Sequence, residues 1–400
     1  MLTMARHADV MTVARCWPLI VALAGIAAWV LWGWSGDDIH TYLLPWLAHI
    51  RAAGPVGAFA QPFSDYAPPY LYLLAAVSPL ADAVPPATVI KLLSVGTVLA
   101  LAGAVWRLLR ALGTLHPAAA ATVVLLLPTV LLNAALLGQC DALWTGPCVM
   151  ALVAAVERRH RAMLLWCGLA LGIKLQAVFL APFVLALLLA RRVPLRLSPL
   201  APAAWLATLL PAWLAGWPAA DLLTIYLRQS DSYPALSLNA PNIWMVAAPF
   251  TLPLAGVTAL ALAAAASAAL AYVAAFARRQ LTPRALVEAA LLSALMIPGL
   301  LPRMHERYFF LADVLALAVA LAWPDRRSVT IALLVQGASC AALFAYISGI
   351  DGFAMLGAVA MIVATLRLAR GLVSAPASAA ASPRTAPDPR PAGNVPAPRA

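Results

Sequence analysis

Along most of this chain apolar residues run for about twenty positions at a time, the length that crosses the roughly 30 Å hydrocarbon core of a bilayer as a helix. Arginine clusters separate many of the runs: Arg107 with Arg110, Arg158 to Arg161, Arg191 and Arg192, Arg278 and Arg279 with Arg284, Arg326 and Arg327, and Arg367 with Arg370. The two-residue alternation of strands is missing, which argues against a barrel. The pattern predicts an all-α polytopic integral membrane protein with about twelve spans, near 17–34, 87–110, 117–137, 139–156, 162–174, 175–190, 198–217, 253–277, 285–301, 308–323, 328–347 and 352–370.

Basic residues collect in cytoplasmic loops, so Arg6 and Arg15 hold residues 1–16 inside and send the first span outward. Each of those arginine clusters then falls on the inner side. The segment is kept as a span rather than a signal peptide, because its apolar run is long and no cleavage pattern follows. Residues 35–86 form the first extracytoplasmic loop. Within it Ile39, Leu43, Trp46, Leu47 and Ile50 recur at helical spacing, which predicts a short interfacial helix. Residues 68–84, broken by Ser78-Pro79 and bounded by Pro85 and Pro86, predict a juxtamembrane or re-entrant element too short to cross. The multi-pass domain covers 17–371, and the Ala- and Pro-rich segment 372–400 predicts a disordered cytoplasmic tail.

Composition sharpens the class. The 400 residues are 64% hydrophobic and only 10% charged, with a mean hydropathy of +0.90; a soluble domain would need a charged surface that this chain lacks. The net charge of +11 belongs to arginines at the ends of spans, which excludes a nucleic-acid-binding stripe. Cys16, Cys140, Cys148, Cys167 and Cys340 sit in or beside apolar runs without metal-ligand spacing, as small core residues do.

Three polar clusters fall on the outward side. Asp37 and Asp38 open the first loop beside Tyr42, Pro45 and Trp46; the bland reading is a solvated helix end. Lys174, one of two lysines with Lys91, interrupts an apolar stretch bounded by arginines at both ends. That stretch must cross twice, in arms of about 12 to 15 residues or roughly 18 to 23 Å, so the turn at Lys174 sinks into the outer leaflet. A charge there lines a cavity or snorkels to the interface. Arg303, His305, Glu306 and Arg307 precede the span at 308–323, as a self-neutralising surface set or part of a site. Sharing one face with Asp38, Asp141 and Lys174 makes these clusters a candidate site.

These residues resemble the GT-C superfamily of polyprenyl-phosphate-sugar-dependent glycosyltransferases. The chain is similar to bacterial relatives of the GPI-anchor mannosyltransferases and to the glucosyltransferases that extend lipid-linked N-glycans. The resemblance runs in order through Asp38 to Trp46, Tyr66-Ala67-Pro68-Pro69-Tyr70-Leu71, Gly138 to Asp141, Lys174-Leu175-Gln176 and His305 to Arg307. The inserted Ala67 and the doubled Asp37-Asp38 depart from the family pattern. The resemblance implies inverting transfer of a mannose- or glucose-type hexose from a polyprenyl-phosphate donor at the outer face of a bacterial-type inner membrane. The acceptor would be a glycolipid, polysaccharide or protein.

The resemblance implies Asp38 as general base with Asp37 in reserve. It places Lys174, Arg307, His305, Arg303 and Lys91 on the donor phosphate, and Gln139, Asp141, Gln176, Tyr66 and Glu306 on sugar or acceptor. No cofactor is required; a divalent cation between Asp38 and Asp141 is the alternative. The loop from about Ala219 to Leu252, with Tyr226, Arg228, Tyr233, Asn239, Asn242 and Trp244, is the candidate for acceptor choice. Rival readings are a flippase or carrier of lipid-linked sugars and a non-catalytic subunit of an envelope polysaccharide complex.

Overall fold

A computed structural model describes residues 2–230, 235–247 and 254–374. They form an all-α integral membrane protein whose only sheet, among these residues, is a pair of two-residue strands. In chain order the α-helices are α1 (Leu2–Leu31), α2 (Leu44–Ala53), α3 (Pro68–Val77), α4 (Pro86–Ala111), α5 (Pro117–Thr122), α6 (Pro128–Leu131), α7 (Asp141–Val156), α8 (His160–Ile173) and α9 (Ala181–Leu189). There follow α10 (Leu200–Leu214), α11 (Ala219–Ser230), α12 (Ile243–Ala247), α13 (Leu254–Ala277), α14 (Pro283–Leu300), α15 (Phe310–Ala322), α16 (Arg326–Ser348) and α17 (Asp351–Ser374).

Among the described residues six helices are long and apolar enough to cross a membrane, and a bent pair over Pro117–Leu136 makes a seventh if it is one span. Arg15–Leu31, Asp141–Val156, His160–Ile173, Leu175–Leu189 and Phe310–Ala322 are shorter apolar helices. Large side chains on the outside include Trp29, Leu214, Leu270 and Leu356, each about 70% exposed or more. In water each would forfeit about 1.5–3 kcal/mol of burial energy; lipid removes that cost.

The helices coincide with the apolar runs, with three differences. α1 begins at Leu2, so the segment expected as a cytoplasmic lead-in is helical, and the helix continues through Pro18. The run 117–137 is not straight: Leu127 precedes Pro128, takes an extended ψ of 122°, and the helix bends by 61° there, as the clash of a proline ring with the preceding residue requires. α17 continues to Ser374, past the expected boundary, and the rest of the tail lies outside the described residues.

Two apolar cores hold the polar segments in place. The larger joins α4, α7, α8, α9 and α14 to α17. The smaller packs the first loop against the bundle: Ile39, Trp46, Leu47, Phe59, Tyr70 and Leu74 meet Ile90 of α4 and Leu209 and Ala212 of α10. The first loop is built of short helices, as expected: a π turn (Ile39–Leu43) leads into α2, and α3 runs into a 3-10 turn (Ser78–Asp82). Its own core holds it as a fixed roof beside the helix ends.

Candidate functional site

Each polar segment reaches the site through an identifiable break in regular structure. α1 stops at Leu31, and Asp38 follows at the foot of the π turn. Gly138 turns the chain with φ +62°, and a Cβ there would lie 2.9 Å from Ile39 and 3.3 Å from Ile90; only glycine fits this left-handed turn. It presents Gln139, whose N–H donates to the Asn133 carbonyl at 2.9 Å.

α8 ends at Ile173, and Lys174 is extended (φ −155°, ψ 140°) before a 3-10 turn over Leu175–Leu180 resumes the helix. Gly172 lets α8 approach α10 closely, since its Cβ would sit 2.3 Å from the Thr208 hydroxyl, the close packing that small residues permit in membranes. Ser237–Leu238 pairs in parallel with Met304–His305, and the Arg303 N–H donates to the Leu236 carbonyl at 2.8 Å. That ties down the loop carrying His305 to Arg307.

These segments surround a cavity of about 470 Å3. Lys174 Nζ donates to Asp141 Oδ1 at 2.7 Å, while Trp144 Nε1 and Asn133 Nδ2 donate to Asp141 at 2.9 and 2.8 Å. Arg307 bonds Glu306 at 2.6 Å and lies 3.1 Å from Asp38 Oδ2 and 3.8 Å from Asp141. Gln139 Nε2 donates to the same Asp38 oxygen at 2.7 Å, and its Oε1 accepts from the Tyr66 hydroxyl at 3.1 Å. Lys174 also lies 5.3 Å over the Tyr66 ring, a cation–π contact.

Burial alone would raise the Glu306 carboxyl, but Arg307 and then His305 outweigh it and hold the group down at about 2. Burial pushes the Tyr66 hydroxyl up, so it stays protonated as the donor to Gln139.

The arrangement has a direction. Lys174, Arg303, His305 and Arg307 line the cavity, whereas Asp141 and Glu306 are almost wholly buried and absent from its wall. The two acids stand behind the cations and offset the several kcal/mol that burying an unpaired charge costs. The result is a cationic wall that carries the half-buried carboxylate of Asp38, held by Arg307, with the exposed carboxylate of Asp65 at its edge.

Of the residues singled out from the sequence, Asp38, Tyr66, Gln139, Lys174, Gln176, Arg303, His305 and Arg307 line this one cavity. Asp141 and Glu306 brace it. Between Asp38 and Asp141, the alternative place for a divalent ion, stands the Arg307 guanidinium. Asp37 is exposed and off the wall. Lys91 stands apart as well: its ammonium donates to the Trp32 and Trp34 carbonyls beyond the end of α1, so it satisfies backbone that the helix leaves open.

The acceptor loop divides similarly. Asn242 donates to the Leu301 carbonyl at 3.1 Å and Trp244 to Leu300 at 2.6 Å, closing the end of α14. The Tyr226 hydroxyl bonds the Leu171 carbonyl, and Arg228 pairs with Asp221. Asn239 bridges to His305, and Tyr233 lies outside the described residues. Wall residues that sequence reasoning missed include Asp65, Gln229 and Tyr308. Asp65 adjoins Tyr66 in a segment already marked by its prolines, which was a usable signal; Gln229 carries none. Comparison of the chain with protein-family models and with curated proteins finds no match.

Proposed function

We propose that this is a membrane glycosyltransferase that moves a hexose from a polyprenyl-phosphate donor to a hydroxyl acceptor with inversion. One observation carries the reading: two cations, buried Lys174 and largely buried Arg307, braced by Asp141 and Glu306, line a cavity of about 470 Å3 together with Asp38, which Arg307 holds at 3.1 Å. The donor phosphodiester, and the polyprenyl phosphate monoester that leaves it, suit the cations, and the carboxylate suits a hydroxyl. In the resting site Arg307 holds Asp38. An arriving donor phosphate competes for that guanidinium and frees Asp38 to act.

Asp38 then takes the acceptor proton as the acceptor oxygen bonds to the anomeric carbon. The bond from that carbon to the phosphate oxygen breaks on the opposite face, and polyprenyl phosphate leaves with the electron pair. Lys174 and Arg307 neutralise it, a contribution of about a few kcal/mol. Gln139 orients Asp38, and Tyr66 fixes Gln139. The chain's own cations supply the charge stabilisation, so no cofactor is invoked.

In this reading each apolar element crosses once, giving twelve spans, with the cavity at the outer face of a bacterial-type inner membrane. Purified protein in liposomes with a synthetic polyprenyl-phosphate hexose should transfer sugar to an added acceptor; failure with mannose- and glucose-type donors, by protein that binds the lipid, would favour the carrier. Orientation has its own check. A cysteine replacing exposed Ser35 should react with an impermeant reagent added outside, and one replacing exposed Arg326 should not; the reverse pattern overturns the topology.

A further inference from the structure

A second hollow of about 500 Å3 opens beside the first, and Trp46, Asp65 and Gln229 line both. The two are chambers of one site with different chemistry. Behind the inner wall every carboxylate is paired, and cations face the space. In the outer chamber the carboxylate of Asp65 has no hydrogen-bond or ion-pair partner among the described residues; only its main-chain carbonyl is used, accepting from Gln229 Nε2 at 3.3 Å. Asp65 is exposed and stands at the junction, a ready acceptor of hydrogen bonds.

Two aromatic rings, Trp46 and Phe63, line the chamber as well, each held by aromatic neighbours. Phe63 stacks on His49 at 4.5 Å and meets Trp217 at 5.8 Å; Trp46 packs on Tyr66 at 5.0 Å. Pro62, Ser64, Ile225, Gln229 and Arg228, the last held by Asp221, complete the lining. Each candidate occupant meets a different fate there. A lipid tail would strand these polar groups unpaired, and an anion would meet the Asp65 carboxylate. A polyhydroxylated ring matches both features, laying its apolar face on an aromatic ring and giving hydroxyl protons to the carboxylate and the amide.

We propose that the outer chamber is the acceptor subsite and that it takes a pyranose-bearing acceptor. Asp65 and Gln229 bind neighbouring hydroxyls against Trp46 and Phe63, and the reacting hydroxyl crosses the shared wall toward Asp38. The assignment of the occupant as acceptor rests on the transferase reading; its being a saccharide does not.

The test uses the full chain in lipid nanodiscs without donor. Binding of the methyl pyranosides of glucose, mannose, galactose and N-acetylglucosamine is read by saturation-transfer NMR, and binding of polyprenyl phosphate is measured in parallel. At least one glycoside should bind, about tenfold more weakly to Asp65→Ala and to Gln229→Ala, as the loss of one hydrogen bond to a charged or polar group predicts. Arg284→Ala, at the far end of α14, should leave glycoside binding unchanged. No glycoside bound by the parent, or parental binding in both the Asp65 and Gln229 variants, overturns the saccharide subsite while leaving any Lys174-dependent lipid binding intact. Polyprenyl phosphate binding that ignores Lys174→Ala, beside glycoside binding that depends on Asp65, sinks the donor reading and keeps this one.

Discussion

The two ends of α14 carry charged clusters of similar make-up put to different use. At the Pro283 end Arg284 pairs with Glu288 at 2.8 Å and with Asp325 at 2.7 Å, while Arg327 reaches Glu288 at 3.2 Å. Those arginine side chains are about a third exposed, and Arg327 also donates to the Leu368 carbonyl of α17 at 3.3 Å. Their charge is spent on joining helices. Beyond the Leu300 end, Lys174 and Arg307 are paired just as closely, but Asp141 and Glu306 lie behind them and a cavity lies in front, with Asp38 on its wall. Counting charges or ion pairs does not separate the two clusters. The direction the cations face does, because a cation braced from behind can exchange a partner on the cavity wall for an arriving anion without being left unpaired.

The sharpest way to break this comparison is to remove the wall carboxylate that Arg307 and Gln139 hold. Asp38→Asn keeps shape and most hydrogen bonding, so transfer should fall by about 10² to 10⁴ if Asp38 takes the acceptor proton. Exposed Asp37→Asn should transfer near the parental rate, as should Glu288→Gln at the other end. Equal losses in Asp38→Asn and Asp37→Asn, measured as initial rates at saturating donor, would remove the distinction between wall and surface.

Next in size is the brace itself. Asp141→Ala leaves the Lys174 charge buried and unpaired, so unfolding free energy should drop by about 3 to 5 kcal/mol. Asp141→Leu combined with Lys174→Met removes both charges and should recover much of that stability without recovering lipid binding. A double variant that still binds polyprenyl phosphate as the parent does would reduce the pair to a structural bridge.

These contrasts also show what sequence could and could not reveal. The helices were legible because apolar runs and arginine clusters are local and repeat at the bilayer's own length scale. The breaks at Gly138 and Lys174 were legible too, since a glycine turn and a charge in an apolar run announce themselves. Partners were not. Lys91 and Lys174 look alike in sequence, a lysine in an apolar stretch, yet one satisfies the carbonyls of Trp32 and Trp34 and the other lines the cavity. Asp141 resembled a sugar ligand until Trp144, Asn133 and Lys174 closed around it. The bend at Leu127-Pro128 obeys the proline rule, but the unbroken apolar run around it masks the signal.

Affinity sharpens the comparison further. Arg307→Ala should weaken polyprenyl phosphate binding by about 10- to 100-fold, the worth of a hydrogen bond between charged groups. Arg307→Lys should rescue only partly, because an ammonium does not present the guanidinium fork. Arg284→Ala should bind the lipid as the parent does. If Arg284→Ala and Arg307→Ala weaken binding alike, lipid uptake follows overall charge and the facing of the cations is irrelevant.

The finest cut between the two ends is expected in acid. Glu306 is held at about 2 in the folded protein, since Arg307 and His305 outweigh its burial, against about 4.3 for an unperturbed glutamate. A depressed carboxyl contributes stability that is full above its unfolded value and is lost as pH falls through the folded one. The limb carried by Glu306 therefore lies between roughly pH 4.5 and 2. Asp325 has the same sign: burial opposes its charge, but the Ser328 N–H and then Arg284 hold it below the ordinary range. Its side chain is a third exposed, so solvent screens the pair and its share should be at most about 1 kcal/mol. Acid unfolding of Glu306→Gln should thus lose the steeper part of the limb, and that of Asp325→Asn should shift only slightly. Matching acid curves for the two variants would mean that burial behind the cavity wall adds nothing to the hold of Arg307 on Glu306.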